Sequence, residues 1–239
     1  MRLDKLLANM GVGSRKDVKA LIKKKKVTVN EEAVKDSGLH VDPEHDVVKV
    51  NNQTVNFQQY IYLMMNKPPG YISATTDHRE QTVVNILPET YQKFKPFPVG
   101  RLDKDTEGLL LITNDGDLAH QLVSPKKNVD KTYYAKIDGT VTNADIQTFE
   151  NGVTLDDGYH TKPAKLEILY SDDISQIEIT ITEGKFHQVK RMFEAIGKKV
   201  VYLKRIRMGK LLLDPNLDAG HTRELTEEEL AYCLSKKAK

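Results

Sequence analysis

Residues 99–111, VGRLDKDTEGLLL, put Arg101, Asp103, Asp105 and Glu107 on a polar turn just ahead of the apolar run Leu109–Ile112. An aspartate in such a turn is ordinarily a solvated turn or cap residue. A carboxylate there can also serve as nucleophile or general base, provided a nearby cation keeps it ionised against apolar walls. Candidate cations come from a second string, EGKFHQVKRMFEAIG at Glu183–Gly197, which supplies Lys185, His187, Lys190 and Arg191. His187 sits beside a helix start among cations, so it reads as a phosphate or structural contact, as do Lys185 and Arg191. A third string, KTYYA at Lys131–Ala135, places Tyr133 and Tyr134 in succession on a strand, where they must point to opposite faces. A fourth, NKPPG at Asn66–Gly70, shapes a loop, because proline fixes φ and Gly70 permits a close approach. It leaves Lys67 as a candidate phosphate contact.

Asp103-x-Asp105 and Asp115-x-Asp117 could hold the paired cations of a nuclease, but no histidine or further carboxylate lies at a supporting spacing. Asn114–Gly116 reads better as a turn, with Asp117 capping a helix from Leu118. Cys233 is the single cysteine, so no cysteine-rich zinc site and no internal disulfide can form. Neither a Cys/His cluster nor a glycine-rich fingerprint is found, which argues against a deaminase or a methyltransferase. No metal and no cofactor are expected.

The elements that must position these residues fall into two groups. Residues 1–30 hold nine basic side chains (Arg2, Lys5, Arg15, Lys16, Lys19, Lys23, Lys24, Lys25 and Lys26) against Asp4 and Asp17, a net of plus seven. The whole chain of 239 residues carries only plus two, so the charge is concentrated where a polyanion can meet it. Leu3, Leu6 and Leu7 are spaced for one helix, and Ser14 can cap a second carrying Val18, Leu21 and Ile22. Short strands follow at Val27–Asn30 and Val47–Val50. A polar stretch at Gln58 and Gln59 closes this unit, giving domains at residues 1–58 and 59–239. Beyond it, strands are predicted at 61–65, 109–113, 131–137, 165–170, 176–182 and 200–206, with helices at 83–87, 118–123, 143–150 and 187–196. This irregular alternation predicts an α+β fold with a mixed or antiparallel sheet. A second basic run, Lys198, Lys199, Lys204, Arg205, Arg207 and Lys210, contains no acidic residue and could join the first in holding a polyanion.

No apolar run approaches the roughly 18 residues of a membrane span, and Met1 leads into charged residues. A soluble cytoplasmic protein is expected. No patterned apolar surface calls for a partner, so it is expected to be a monomer.

Taken together and in this order, GRLD, NKPPG, KTYYA and HQVKRM resemble the pseudouridine synthases, and specifically the bacterial ribosomal-RNA branch with an S4-type RNA-binding domain at its N-terminus. The resemblance spans nearly the whole chain. It implies a small S4-type α+β domain followed by a catalytic domain on a mixed, mainly antiparallel sheet. It also implies that Asp103 is the catalytic nucleophile or base, that Arg101 fills the space left by an extruded base, and that Tyr133 stacks on the target uracil. Lys190 matches the basic residue that pairs with the catalytic aspartate, where many relatives have arginine. The implied substrate is ribosomal RNA, and the lysine in HQVKRM points toward the small subunit. The large subunit is the alternative within the family, and a non-catalytic ribosome-assembly factor is the alternative outside it. Arg2, Lys5, Arg15, Lys16, Lys23, Lys24 and Lys25 are the expected phosphate contacts of the first domain.

Overall fold

The computed structural model describes residues 1–43, 45–124 and 127–236. It separates into two compact units, Met1–Ile61 with Pro88–Lys95, and Tyr62–Leu87 with Pro96–Lys239.

In the first unit, α1 (Leu3–Asn9) and α2 (Arg15–Lys23) are joined through Gly11 and Gly13. Ser14 caps α2 as its sequence context predicts, exchanging hydrogen bonds with Asp17 in a capping box. A one-turn helix, α3 (Glu89–Gln92), belongs to this unit. Strands β1 (Val27–Val29), β2 (Glu32–Ala33), β3 (Val48–Val50) and β4 (Gln53–Thr54) form an antiparallel sheet in the order β2-β1-β3-β4. Leu3, Leu6, Leu7, Val18 and Ile22 bury against Val27, Val48 and Val50. With the apolar face turned inward, all nine basic residues of the first 30 are exposed.

The second unit holds β5 (Tyr62–Lys67), β6 (Phe97–Val99), β7 (Glu107–Thr113), β8 (Lys131–Asp138), β9 (Lys165–Tyr170), β10 (Ile174–Ile181), β11 (Lys199–Met208), β12 (Leu211–Leu212) and β13 (Thr222–Glu224). The main path is β13-β5-β7-β11-β8-β10-β9, with β6 on β7 and β12 on β11. Only β7 and β11 pair in parallel among the described residues, so the sheet is mixed and mainly antiparallel. Helices α4 (Gly116–Val123), α5 (Asn143–Glu150), α6 (Gln188–Glu194) and α7 (Glu227–Ser235) complete the unit. Leu109, Leu111, Leu118, Leu122 and Met208 share one core cluster with Cys233, whose thiol is pushed up to about 12 by burial.

Two local expectations are corrected. Residues 83–87 form turns, not a helix. The Asn85 carboxamide accepts from both the N–H and the hydroxyl of Thr82, offering the backbone a turn in place of a first helical hydrogen bond. The cap of α4 is Asp115, not Asp117: its carboxylate accepts from the Leu118 N–H at 3.1 Å and from the Tyr62 hydroxyl at 3.0 Å.

The parallel contact of β7 with β11 depends on Gly108. Its φ is +99°, and a Cβ there would lie 2.3 Å from the Arg205 carbonyl oxygen. Arg205 in turn donates from Nε to the Leu109 carbonyl at 2.8 Å. The strand that leaves the GRLD turn is thereby clamped to the middle of the sheet.

Candidate active site

The GRLD turn is held from below by the NKPPG loop. At the end of β5 the Lys67 side chain is fully buried and donates to the carbonyls of Pro68 (3.1 Å), Lys104 (3.2 Å) and Thr106 (2.8 Å). The Gly70 N–H also donates to Lys104 O at 2.8 Å. Ser73 adds a reciprocal pair, its hydroxyl donating to Leu102 O and accepting from Leu102 N–H, each at 2.9 Å. The backbone on both sides of Asp103 is therefore fixed, which leaves its carboxylate aimed outward.

Asp103 opens into a cavity of about 290 Å³ lined also by Arg101, Thr106, Tyr133, Leu203 and the Gly184–Val189 segment. Its side chain is 29% exposed, with Lys190 Nζ 3.7 Å from one oxygen and His187 Nε2 3.6 Å from the other. Lys190 sits closer to Asp105, at 2.6 and 2.8 Å. Burial raises the Asp105 pKa, but the hydrogen bonds and charge of Lys190 outweigh it and hold that carboxyl below its ordinary range. Lys190 thus bridges two carboxylates. Burial also depresses Lys67, to about 8, against the pull of Asp105, Asp103 and Glu107.

The segment that supplies these cations is internally braced. Glu183 is buried and accepts from the Tyr159 hydroxyl (2.7 Å), Lys162 N–H (3.0 Å) and Gln188 Nε2 (2.7 Å). Gln188 Oε1 accepts from Lys185 N–H at 2.9 Å. His187 follows in the left-handed region at φ +50°, an uncommon conformation that brings its ring over Asp103. Tyr133 is buried on β8 and lines the cavity, whereas Tyr134 lies on the other face and donates to Gln176 Oε1.

The structure brings Arg101, Asp103, Tyr133, Lys185, His187 and Lys190 together around this cavity. Three other placements differ from expectation. Lys67 cannot touch phosphate: its ammonium faces inward onto three carbonyls. Arg191 turns away to ion pairs with Asp156 and Asp157. The second basic run is not one patch, since strand alternation splits its members, Arg205 is only 3% exposed and Lys198 pairs with Asp145 at 2.7 Å. The remaining carboxylates are committed as well, Glu107 accepting from the Tyr202 hydroxyl at 2.9 Å. Sequence reasoning missed Phe186, an aromatic ring at the cavity rim; an apolar residue inside the charged string KFHQVKR was the available signal.

Such a site sets a partly exposed carboxylate, faced by Lys190 and His187, in one cavity with an aromatic wall. Comparison with known proteins agrees. Residues 61–195 match the family described as RNA pseudouridylate synthase, and residues 1–48 match the S4 domain. The chain is 55% identical over 231 residues to a Bacillus subtilis (strain 168) protein named as an uncharacterized RNA pseudouridine synthase, YtzG, covering 96% of this chain and 97% of that one. It is 40% identical over 232 residues to the ribosomal small subunit pseudouridine synthase A of Escherichia coli (strain K12), covering 97% and 99%. A crystal structure of a pseudouridylate synthase superposes with a TM-score of 0.68 at 35% identity, covering 98% and 99% of the two chains.

Proposed function

The chain belongs to the RNA pseudouridylate synthase family and carries an S4 domain, and from that premise we propose that it isomerises one uridine of small-subunit ribosomal RNA. The observation that carries the chemistry is Asp103, set in a cavity with Tyr133 and with Lys190 and His187 within 3.7 Å of its carboxylate. The 40% identity to a relative named for the small ribosomal subunit supports the choice of RNA.

A base stacked in a helix is out of reach of a carboxylate, so the target uridine is flipped into the cavity. Tyr133 stacks on its uracil, and Arg101, exposed on the rim, takes the space that the base leaves. Asp103 then attacks C1′ or removes the 2′ proton, and the N1–C1′ bond breaks. The uracil turns and a C5–C1′ bond forms, displacing Asp103 from C1′ in the first route and taking the 2′ proton back from Asp103 in the second. The hydrogen on C5 departs as a proton and N1 takes one up, so nothing is oxidised or hydrolysed. Lys190 and His187 face the charge on Asp103, and Lys190 also holds Asp105 clear of it. Arg2, Lys5, Arg15, Lys16 and Lys23–Lys25 contact phosphates without reading bases. The division of labour is between residues 1–58 and 59–239, and the protein works as a cytoplasmic monomer.

Tritium release from RNA labelled at uracil C5 tests this directly. Small-subunit and large-subunit transcripts are incubated separately with the enzyme. Release from the small-subunit transcript is expected. Release from the large-subunit transcript alone moves the target, and release from neither, despite tight binding, points to a non-catalytic assembly factor or an assembled-particle substrate.

A further inference from the structure

Phe186 is 73% exposed, the most exposed large apolar side chain among the described residues, yet it stands on a braced segment at the rim of the Asp103 cavity. Its ring is stacked on His187, with centroids 3.7 Å apart and planes 19° from parallel. His187 Nε2 is 3.6 Å from Asp103. The imidazole therefore contacts both the phenyl ring and the Asp103 carboxylate, covering one face of Phe186 and leaving the other to solvent. The Glu183–Gln188–Lys185 hydrogen bonds brace the segment that carries it.

We propose that the open face of Phe186 is a stacking platform for a nucleobase adjacent in the RNA to the flipped uridine. This rests on the reading of the cavity as the uridine site. Flipping one base removes a stacking partner from its neighbours, and an aromatic ring is sequence-tolerant compensation, since every base has a π-face. The target uracil is not the occupant, because Tyr133, buried inside the cavity, serves it, whereas Phe186 stands exposed at the rim. Lys185, exposed one residue before, and Arg101 across the rim give the surroundings the positive charge that an RNA backbone needs. Phe186 is thus a positioning residue: it fixes the strand next to the target and does not touch the reacting atoms.

The chain contains no tryptophan, so Phe186→Trp creates a single-tryptophan enzyme whose indole can be excited selectively over its tyrosines. Adding small-subunit ribosomal RNA is expected to quench its emission, since stacking on a base deactivates indole. In tritium-release kinetics Phe186→Ala should lower kcat/KM by about tenfold, within the roughly 5- to 150-fold expected for one base–aromatic stack, mostly through KM. Phe186→Leu keeps apolar volume without a π-face, so it should resemble Ala, whereas Phe186→Tyr should restore activity. A purely structural role predicts the reverse, with Leu rescuing. Unquenched emission at saturating RNA, together with Phe186→Ala turning over like wild type, overturns the platform while leaving the uridine reading intact. Quenching without tritium release from any RNA overturns the uridine reading and with it the place of that base beside a flipped uridine, leaving Phe186 only as a surface on which RNA stacks.

Discussion

The two units handle positive charge in opposite ways. In the first, nine basic residues among the first 30 project into water, and among them only Arg2, bonded to Asp4, forms an ion pair in the described structure. In the second, the inner cations near Asp103 are individually committed, Lys190 to Asp105 and Asp103, Lys67 to three carbonyls and Arg205 to the Leu109 carbonyl, while Arg101 and Lys185 stay exposed at the rim. Solvated charges act nearly additively and are screened by salt, whereas buried and paired ones act as a unit. Substitutions in the cavity should therefore damage turnover without altering the salt dependence of binding, and those in the first unit should do the reverse.

The hardest test of that contrast is Asp103→Asn, which keeps the shape of the site and removes its charge. Turnover should fall on the order of a thousandfold or more, while RNA affinity stays within a few-fold. Equal loss of both would erase the division. Next is Lys67→Met. It removes the ammonium from three loop carbonyls, of which Lys104 keeps its Gly70 donor, while relieving a buried charge, so a net loss of about 2 kcal/mol and a Tm drop of roughly 4–8 °C are expected in a thermal melt. Asp103 loses its support, so kcat should also fall, by at least about tenfold. The same residue gives a pH signature. Burial depresses its folded pKa to about 8, so between about 8 and the ordinary 10.5 the unfolded chain binds a proton that the folded one does not. Stability from this group rises with pH across that window. Urea titrations from pH 7.5 to 10 should show a positive slope component that Lys67→Met lacks. Smaller again is Lys190→Ala, expected to lower kcat by about 10-fold through loss of the charge facing Asp103. Lys190→Arg should recover most of it, because a guanidinium can bridge both carboxylates.

Sequence patterns exposed most of this contrast, and where they failed the reason is geometric. Ser14 and Asp17 sit three apart, so their capping box could be anticipated, and the alternation of Ile177, Ile179 and Ile181 marks a half-buried strand. Asp103, Tyr133 and Lys190 were legible only as members of ordered motifs; their meeting in one cavity requires β7, β8 and α6 to converge from distant parts of the chain. Lys67 was misread because nothing local tells an inward lysine from an outward one. Its partners are the carbonyls of Lys104 and Thr106, almost 40 residues on. Arg205 failed for the same reason, its alternation on β11 being legible but not which face is buried. Phe186 would ordinarily be assigned to the core, and only its exposure reveals otherwise.

The gentlest prediction probes the first unit, where single changes should matter least. Deleting residues 1–55 is a poor probe, because Pro88–Lys95 packs with that unit and Lys93 donates to the Met10 carbonyl. Replacing Lys23, Lys24 and Lys25 together by alanine avoids that, since all three are exposed and make no described ion pair. If each neutralises one phosphate, the slope of log affinity against log salt should flatten by about 2, at roughly 0.7 per single-stranded contact. KM should rise several-fold near 0.1 M salt, with kcat at saturating RNA unchanged. A fall in kcat instead would mean that these lysines orient the uridine at the cavity and do not merely retain the RNA, and the boundary between solvated and committed charge would then no longer coincide with the boundary between binding and catalysis.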